Sequence, residues 1–154
     1  MEKLLIEEKI RDLADKYAKT LQDKIDERVI EMQDDDNSHY LIYRVLGISL
    51  EEGQNIDIYQ NKGRFLYKYA GSFLEKTAIL CFKGKYPNGD KTRIENTQGQ
   101  RPKTYEIDFL NNKDAIEIKW RDATTDGDHI TKEHTRVRAI KSYDFKPHIP
   151  HILK

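Results

Sequence analysis

The feature that most constrains this chain is a pair of short alternating segments within residues 104–120. The segments TYEIDFL and AIEIKW each alternate polar with apolar side chains, and the tetrapeptide NNKD separates them. Side chains two positions apart in a strand point to the same face, so this pattern predicts a β-hairpin. The hairpin in turn requires a sheet, and the rest of the chain must supply the layers that cover it.

The polar positions of the two predicted strands carry a chemically specific set of side chains. Asp108 is predicted to lie opposite Ile107 and Phe109 on the first strand, while Glu117 and Lys119 share one face of the second. If these polar faces meet, two carboxylates and a lysine converge. Mg²⁺ usually binds one or two carboxylates and substrate phosphate oxygens, and a neighbouring lysine can activate water. The set therefore indicates hydrolysis of a phosphodiester.

The simpler alternative is an exposed hairpin with a surface salt bridge between Glu117 and Lys119. Charged residues make up 35% of the chain, so a Glu-x-Lys spacing is common, and residues 7–9 provide a second copy inside a predicted helix. The context of the copy at residues 117–119 favours an active site. An aspartate precedes this copy on a paired strand, and a basic helix is predicted to follow it.

The D-x8-E-x-K pattern in a hairpin resembles the PD-(D/E)xK nuclease superfamily. Further segments resemble type II restriction endonucleases of the ApaLI type, namely RFLYKYAGSFLE at residues 64–75, EIDF at residues 106–109 and AIEIKWRDATTDGDH at residues 115–129. The likeness covers roughly residues 60–147. The proline that often precedes the aspartate in the superfamily is replaced here by Ile107.

The resemblance implies an α/β fold, in detail an α+β mixed sheet with a restriction-endonuclease-like core and an N-terminal helical arm. It implies a Mg²⁺-dependent type II endonuclease that cuts double-stranded DNA at a specific sequence and leaves 5′-phosphate and 3′-hydroxyl ends. Asp108 and Glu117 would bind the metal, with the Ile118 carbonyl as a third ligand, and Lys119 would activate water. A cut in both strands needs two such sites, hence a homodimer.

The resemblance also implies a fourth catalytic residue on the helix before the hairpin. In this family a glutamate in a Gly-x-x-Leu-Glu context contacts the metal directly or through water, and here that glutamate is Glu75; the alternative is a surface glutamate. Lys132 and Arg136 lie four apart on the predicted helix after the hairpin and could meet phosphate. The candidate DNA-binding residues are Arg121, Thr124, Thr125, Asp126, Lys132 and Arg136.

The charge is unevenly distributed, although the chain is neutral overall. Residues 1–60 contain 8 Lys and Arg against 15 Asp and Glu, whereas residues 61–154 contain 19 against 12. The basic excess accompanies the hairpin, as a phosphate-binding face requires. The division predicts an N-terminal helical region (1–60), serving as an arm or for dimerisation, and a nuclease core (61–154). The alternative is that the two halves pack on each other.

Several classes of protein are excluded by composition. The chain lacks any run approaching the ~18–20 apolar residues of a membrane span, and it lacks a signal-peptide core. A single cysteine, Cys81, excludes an intramolecular disulfide and a cysteine-based metal site. A cytoplasmic protein without a membrane partner is expected.

The helical pattern begins with one long amphipathic segment at residues 4–32, whose apolar stripe must pack within the chain or in a dimer. Ser38 is predicted to cap a short helix that ends before Gly47, and Ser49 to cap another. Residues 55–61 are predicted to form a loop or a short turn of helix. A second major helix is predicted over residues 64–82, followed by a turn at residues 87–90.

The end of the chain leaves the function open. The superfamily core reads α-β-β-β-α-β, but the residues around Pro147 and Pro150 disfavour a last strand. We therefore expect that the last strand is missing, either because the molecule is a truncated relative or because a partner supplies it. The alternative functions are a non-catalytic DNA-binding or interaction module and a repair or recombination nuclease of the same superfamily.

Overall fold

A computed structural model describes residues 3–34, 36, 38–99, 101–119 and 127–148. These residues form four helices and a four-stranded mixed sheet, which confirms the predicted α+β class. The elements in chain order are α1 (Lys3–Gln33), α2 (Tyr40–Val45), α3 (Leu50–Lys85), β1 (Asp90–Glu95), β2 (Thr104–Asn111), β3 (Asp114–Ile116), α4 (Gly127–Ser142) and β4 (Lys146–His148). None of the helices in these ranges is long and apolar enough to cross a membrane.

The elements divide into two compact units. The sheet unit joins Met1–Arg11 to Leu74–Lys154, and the helical unit spans Asp12–Phe73. Helices α1 and α3 each contribute residues to both units, while all four strands and α4 belong to the sheet unit. The predicted domain boundary near residue 60 stays a prediction.

The predicted N-terminal helix is confirmed as α1, and α3 covers part of its apolar stripe within the helical unit. The Tyr17 hydroxyl is hydrogen-bonded to the Ser72 hydroxyl at 2.7 Å. The Tyr17 ring lies 6.1 Å from the Tyr69 ring and 6.0 Å from the Phe73 ring. Intramolecular packing therefore accounts for this part of the stripe.

Helix α3 is longer than the sequence pattern indicates. Its start is the predicted cap, because the Ser49 hydroxyl accepts from Glu52 N–H at 3.2 Å and the Glu52 carboxylate accepts from Ser49 N–H at 2.9 Å. This reciprocal pair is a capping box. The helix then continues without a break to Lys85, so residues 55–61 form neither the predicted loop nor a separate short turn of helix.

Contacts within the helical unit explain why residues 55–61 are helical. Asp57 is bound by His39 at 2.9 Å and by the Tyr43 hydroxyl at 3.3 Å. The Asn61 side-chain amide donates to the Asp57 carbonyl at 2.9 Å, one turn back along the helix. These contacts offset the weak helix propensity of the Asn- and Asp-containing segment.

The short helix α2 ends as predicted but begins differently. Gly47 follows it with φ 83°, a left-handed conformation that suits glycine. The residue at the N-cap is His39, which makes no side-chain capping bond, and not the predicted Ser38. Ser38 instead donates its backbone N–H and its hydroxyl to the Asp36 carboxylate, each at 2.8 Å.

The predicted hairpin is confirmed as β2 and β3, but β3 is shorter than the predicted strand at residues 115–120 and ends at Ile116, so Glu117 and Lys119 follow it. The two strands pair antiparallel with Asn111 opposite Asp114, so a two-residue turn connects them. Asn112 in this turn has φ 53°, a left-handed conformation that asparagine adopts more readily than most residues. The strand order is β1-β2-β3-β4, with β1 antiparallel to β2 and β4 parallel to β3.

A bulge in β2 interrupts the predicted alternation. Asp90 pairs with Leu110 but Thr92 pairs with Ile107, so β2 carries one extra residue beside Asp108. Ile107 joins a buried cluster that includes Ala139 and Ile140 of α4, whereas Phe109 stacks on Phe82 of α3 at 5.3 Å. Strict alternation wrongly predicted that Ile107 and Phe109 share a face.

The last strand, expected to be missing, is present as β4. Asp114, Ala115 and Ile116 pair in parallel with Lys146, Pro147 and His148. Lys146 N–H donates to Lys113 O at 2.6 Å, and Glu117 N–H donates to His148 O at 2.9 Å. Pro147 is tolerated because β4 is at the edge of the sheet, where one backbone side needs no partner strand.

Candidate active site

Asp108 lies where the two strands of the hairpin separate. The β2–β3 pairing ends with Phe109 opposite Ile116, so the following backbone no longer pairs with β2. There the Asp108 Oδ2 atom accepts a hydrogen bond from Ile118 N–H at 2.8 Å. A buried N–H without an acceptor is destabilising, and here a carboxylate supplies the acceptor. The bond holds Asp108 against the segment that contains Glu117 and Lys119.

Glu117 is a buried carboxylate with a cation at each oxygen. Its Oε1 atom accepts from Lys119 Nζ at 2.7 Å, and its Oε2 atom forms an ion pair with Arg136 Nη2. Its backbone N–H is held by β4 through His148 O. A buried charge requires such partners, because transfer from water without them is strongly unfavourable.

Burial decides against the alternative of an exposed surface salt bridge. Asp108 and Glu117 are each only 8% exposed, although both are ionisable. The side chain of Lys119 is 32% exposed, so the lysine connects the buried carboxylate to solvent. The Lys119–Glu117 ion pair confirms that these two residues share a face. Their catalytic roles stay a prediction.

Arg136 is the residue that sequence reasoning placed differently. Its side chain, 14% exposed, contacts Glu117, and its Nη2 atom donates to Glu106 O at 3.2 Å. Burial lowers the pKa of Arg136, while the charge of Asp108 opposes this shift. The four-residue spacing from Lys132 indicated the helix face but not that the sheet covers it. No sequence signal could have shown this contact.

Glu75 takes part in an ion-pair chain that leads to β2. Lys91 Nζ lies 3.2 Å from Glu75 Oε1 and 2.7 Å from Glu106 Oε1, and Arg93 Nη2 lies 3.0 Å from Glu106 Oε2. Glu106 raises the pKa of Lys91, and in return Lys91 and then Arg93 lower the pKa of Glu106. Glu106 lies two residues before Asp108, so Lys91 links Glu75 to the strand that carries the aspartate. The predicted metal contact of Glu75 stays a prediction.

Most candidate DNA-binding residues lie outside the part of the chain that the structure describes. These are Arg121, Thr124, Thr125 and Asp126, which belong to the segment between residues 120 and 126. Lys132 is exposed on α4, where a phosphate could reach it. Its predicted DNA contact remains untested.

The donors at the hairpin have the chemistry of a small divalent-metal site. Asp108 and Glu117 provide carboxylate oxygens beside the backbone of Ile118, and Mg²⁺ is commonly held by one or two carboxylates with water and substrate oxygens. The described residues contain no group of three or more His, Cys, Asp or Glu side chains that could hold a metal. In the described ranges, the carboxylate donors at the hairpin are thus those of Asp108 and Glu117.

Comparison with protein families gives a match over residues 1–150, to the ApaLI-like restriction endonucleases. No curated protein and no solved structure matches the chain. Restriction endonucleases hydrolyse DNA and generally use divalent metal ions. Because the match covers nearly all of the 154 residues, the chain belongs to the ApaLI-like restriction endonuclease family and is a nuclease that acts on DNA.

Proposed function

We propose that this protein is a Mg²⁺-dependent type II restriction endonuclease of the PD-(D/E)xK kind, which cuts double-stranded DNA at a specific sequence. The observation that carries the proposal is the hairpin site, where buried Asp108 is bound to Ile118 N–H and buried Glu117 is paired with Lys119. Buried carboxylates beside a partly exposed lysine are retained at a cost in stability, which a catalytic role explains.

The residues fit a divalent metal. Asp108 and Glu117 would hold it with carboxylate oxygens, and the Ile118 carbonyl would be the third protein ligand. Glu117 is paired with the cations of Lys119 and Arg136, so its carboxylate is kept in the charged form that a metal ligand needs, and a metal would have to compete with these cations for it. When bound, Mg²⁺ would stabilise the charge that develops on the phosphoryl oxygens and lower the pKa of a bound water.

Lys119 would activate the attacking water by positioning it and by stabilising the negative charge that develops as the water loses its proton to solvent. Its Nζ atom is held 2.7 Å from Glu117 Oε1, so the ammonium group is fixed beside the predicted ligand and reaches solvent on its other side. Glu75 would support the metal shell through the chain of ion pairs that passes Lys91. The products would be 5′-phosphate and 3′-hydroxyl ends.

Binding and recognition of DNA would involve different residues. Lys132 would contact phosphates, which supplies affinity and salt dependence but no sequence information, whereas a phosphate contact of Arg136 would require it to leave Glu117. Arg121 would bind DNA, and Thr124, Thr125 and Asp126 are the candidates for reading the base edges, which carry the sequence information. Cleavage of both strands would need two copies of the site, so we propose a homodimer.

The decisive experiment is cleavage of plasmid and genomic DNA in the presence of Mg²⁺. We expect discrete fragments from the wild-type protein and none from Asp108→Asn, which keeps the shape of the side chain but removes its charge. Asp15→Asn, at an exposed aspartate of α1, is the matched control and should cut like the wild type. Ca²⁺ in place of Mg²⁺ should support DNA binding without cleavage.

Other outcomes assign the alternatives. Cleavage without discrete fragments would indicate a repair or recombination nuclease. DNA binding by a folded protein that never cuts would indicate a non-catalytic module. The missing last strand was the main argument for that module, and the presence of β4 removes it. Light scattering in solution tests the homodimer, and a monomer bound to cleaved duplex would contradict it.

A further inference from the structure

The position of Arg136 conflicts with metal binding at Glu117. Lys119 donates to one Glu117 oxygen, and Arg136 forms an ion pair with the other, which accepts no hydrogen bond within the described part of the chain, so a cation lies at each oxygen. A metal bound by Glu117 needs one of them. The proposed function keeps Lys119 beside the reacting water, and a guanidinium repels a divalent cation at the same oxygen. Arg136 is therefore the partner that must withdraw.

A second acceptor for Arg136 lies one helical turn earlier on α4. The Arg136 Nη1 atom is 3.8 Å from Glu133 Oε2, and the Glu133 side chain is 37% exposed. The Nε atom of Arg136 is buried and has no hydrogen-bond acceptor among the described residues. The guanidinium at Glu117 is thus incompletely satisfied, and a second carboxylate is within reach of a small side-chain rotation.

We propose that Arg136 is an exchangeable counter-ion, which neutralises Glu117 until a divalent metal binds and then transfers to Glu133. This inference rests on the proposed function, because it takes Glu117 as a metal ligand. Its physical basis is that a buried carboxylate is stable only when paired, and arginine keeps its charge at every physiological pH. In this exchange the negative charge of Glu117 is balanced by Arg136 before the metal binds and by the metal afterwards. Arg136 is then a positioning residue and a barrier to binding of the metal.

The test measures Mn²⁺ binding to the full chain without DNA, from the electron paramagnetic resonance signal of free Mn²⁺, with Mg²⁺ as competitor. Arg136→Met removes the competing cation and should tighten Mn²⁺ binding by roughly 5- to 100-fold, the usual range for coupled binding. Glu133→Gln removes the second acceptor and should weaken Mn²⁺ binding several-fold. In the exchange Glu133 acts only through Arg136, so Glu133→Gln should have no effect on Mn²⁺ binding in the Arg136→Met background, whereas a simple charge effect of Glu133 would persist there.

Matched controls come from the same elements. Arg138→Met removes an exposed arginine from α4, and Glu95→Gln removes an exposed glutamate from the end of β1. Both should bind Mn²⁺ like the wild type. Equal or weaker binding by Arg136→Met, or unchanged binding by Glu133→Gln, would overturn the exchange and make Arg136 a fixed partner of Glu117.

Thermal unfolding gives a second readout. Without metal, Arg136→Met leaves Glu117 with Lys119 alone, so its Tm should fall by about 5 °C or more, and saturating Mn²⁺ should raise Tm more than in the wild type. If Arg136→Met does not fold, Arg136→Lys and the surface variant Glu133→Gln still decide the question. The lysine is a shorter, single-point cation and should give an intermediate gain in affinity.

The outcomes also separate this inference from the proposed function. If neither the wild type nor Asp108→Asn binds Mn²⁺, the metal site itself fails, and the exchange fails with it. A different result overturns the exchange alone. In it, the wild type binds Mn²⁺, Asp108→Asn does not, and both Arg136→Met and Glu133→Gln bind Mn²⁺ like the wild type, so the metal site stands.

Discussion

The carboxylate of Asp108, on β2, accepts a hydrogen bond from the backbone N–H of Ile118 at 2.8 Å, two residues after the end of β3. The contact closes the point where the strands separate, and it holds Asp108 beside the Glu-x-Lys segment. The bulge at the same position lets β2 pack Ile107 on α4 and Phe109 on α3 while Asp108 turns to its neighbour strand. Asp108 is therefore positioned by the sheet, and its contact with Ile118 fixes the backbone that follows β3.

Replacing Lys119 by Met should separate cleavage from binding. The variant removes the ammonium that is held 2.7 Å from Glu117, so the cleavage rate should fall by roughly 100- to 10,000-fold. DNA affinity, measured in Ca²⁺ by fluorescence anisotropy, should fall about tenfold at most, because no more than one phosphate contact is lost. Lys141→Met, at an exposed position of α4, is the control. Unimpaired cleavage would remove Lys119 from the mechanism.

Replacing Glu75 by Gln tests whether this residue supports the metal shell. We expect cleavage and Mn²⁺ affinity to fall roughly 10- to 100-fold, as for other residues that orient metal ligands. Lys91→Met should act in the same direction but more weakly, since Lys91 bridges Glu75 and Glu106. If Glu75 is only a surface ion-pair partner, its variant will cut DNA like Glu95→Gln and will lose at most about 1 kcal/mol of stability.

A pair of glycine substitutions should change stability in opposite directions. A Cβ atom at Gly89 would overlap the Phe109 ring, which is fully buried, so Gly89→Ala should lower the free energy of unfolding by about 1–3 kcal/mol. A Cβ atom at Gly63, inside α3, meets no atom within 4 Å. Gly63→Ala should therefore raise the free energy of unfolding by about 0.5–1 kcal/mol. Urea unfolding measures both. A harmless Gly89→Ala would show that Phe109 can move away from that position.

Asp57 should make the stability of the protein depend on pH. Burial acts to raise the pKa of Asp57, but hydrogen bonds from His39, Tyr40 and Tyr43 hold it below its ordinary value of 3.8. A lowered folded-state pKa adds stability above pH about 4, and this stability is lost as the pH falls through the folded-state pKa. Asp57→Asn should therefore cost about 1–3 kcal/mol at pH 7 and clearly less at pH 3.

Urea unfolding at both pH values checks this expectation, with Asp23→Asn, at an exposed position of α1, as the control. An equal loss at pH 7 and pH 3 would mean that the charge of Asp57 does not contribute. The Asn61 amide donates to the backbone carbonyl of Asp57, so that bond survives the substitution.

The local features of the fold were predictable because neighbouring residues decide them. The period of the apolar residues identified α1 and the hairpin, and the Ser49–Glu52 spacing identified the cap of α3. The helical state of residues 55–61 was not predictable, since their contacts with His39 and Tyr43 outweigh a weak local preference. The strand around Pro147 was missed for a related reason: an edge strand tolerates proline, but only the assembled sheet shows where its edge lies.

By itself the sequence determined the residue types of the site and their order, with Asp108 on one hairpin strand and Glu117 and Lys119 two residues apart directly after the other. Only the tertiary structure decided that both carboxylates are buried, that Lys91 connects Glu75 to β2, and that Arg136 pairs with Glu117. These contacts join residues far apart in the chain. The energies of these contacts depend on burial and on the distance between charges, and neither can be read from the spacing of residues along the sequence.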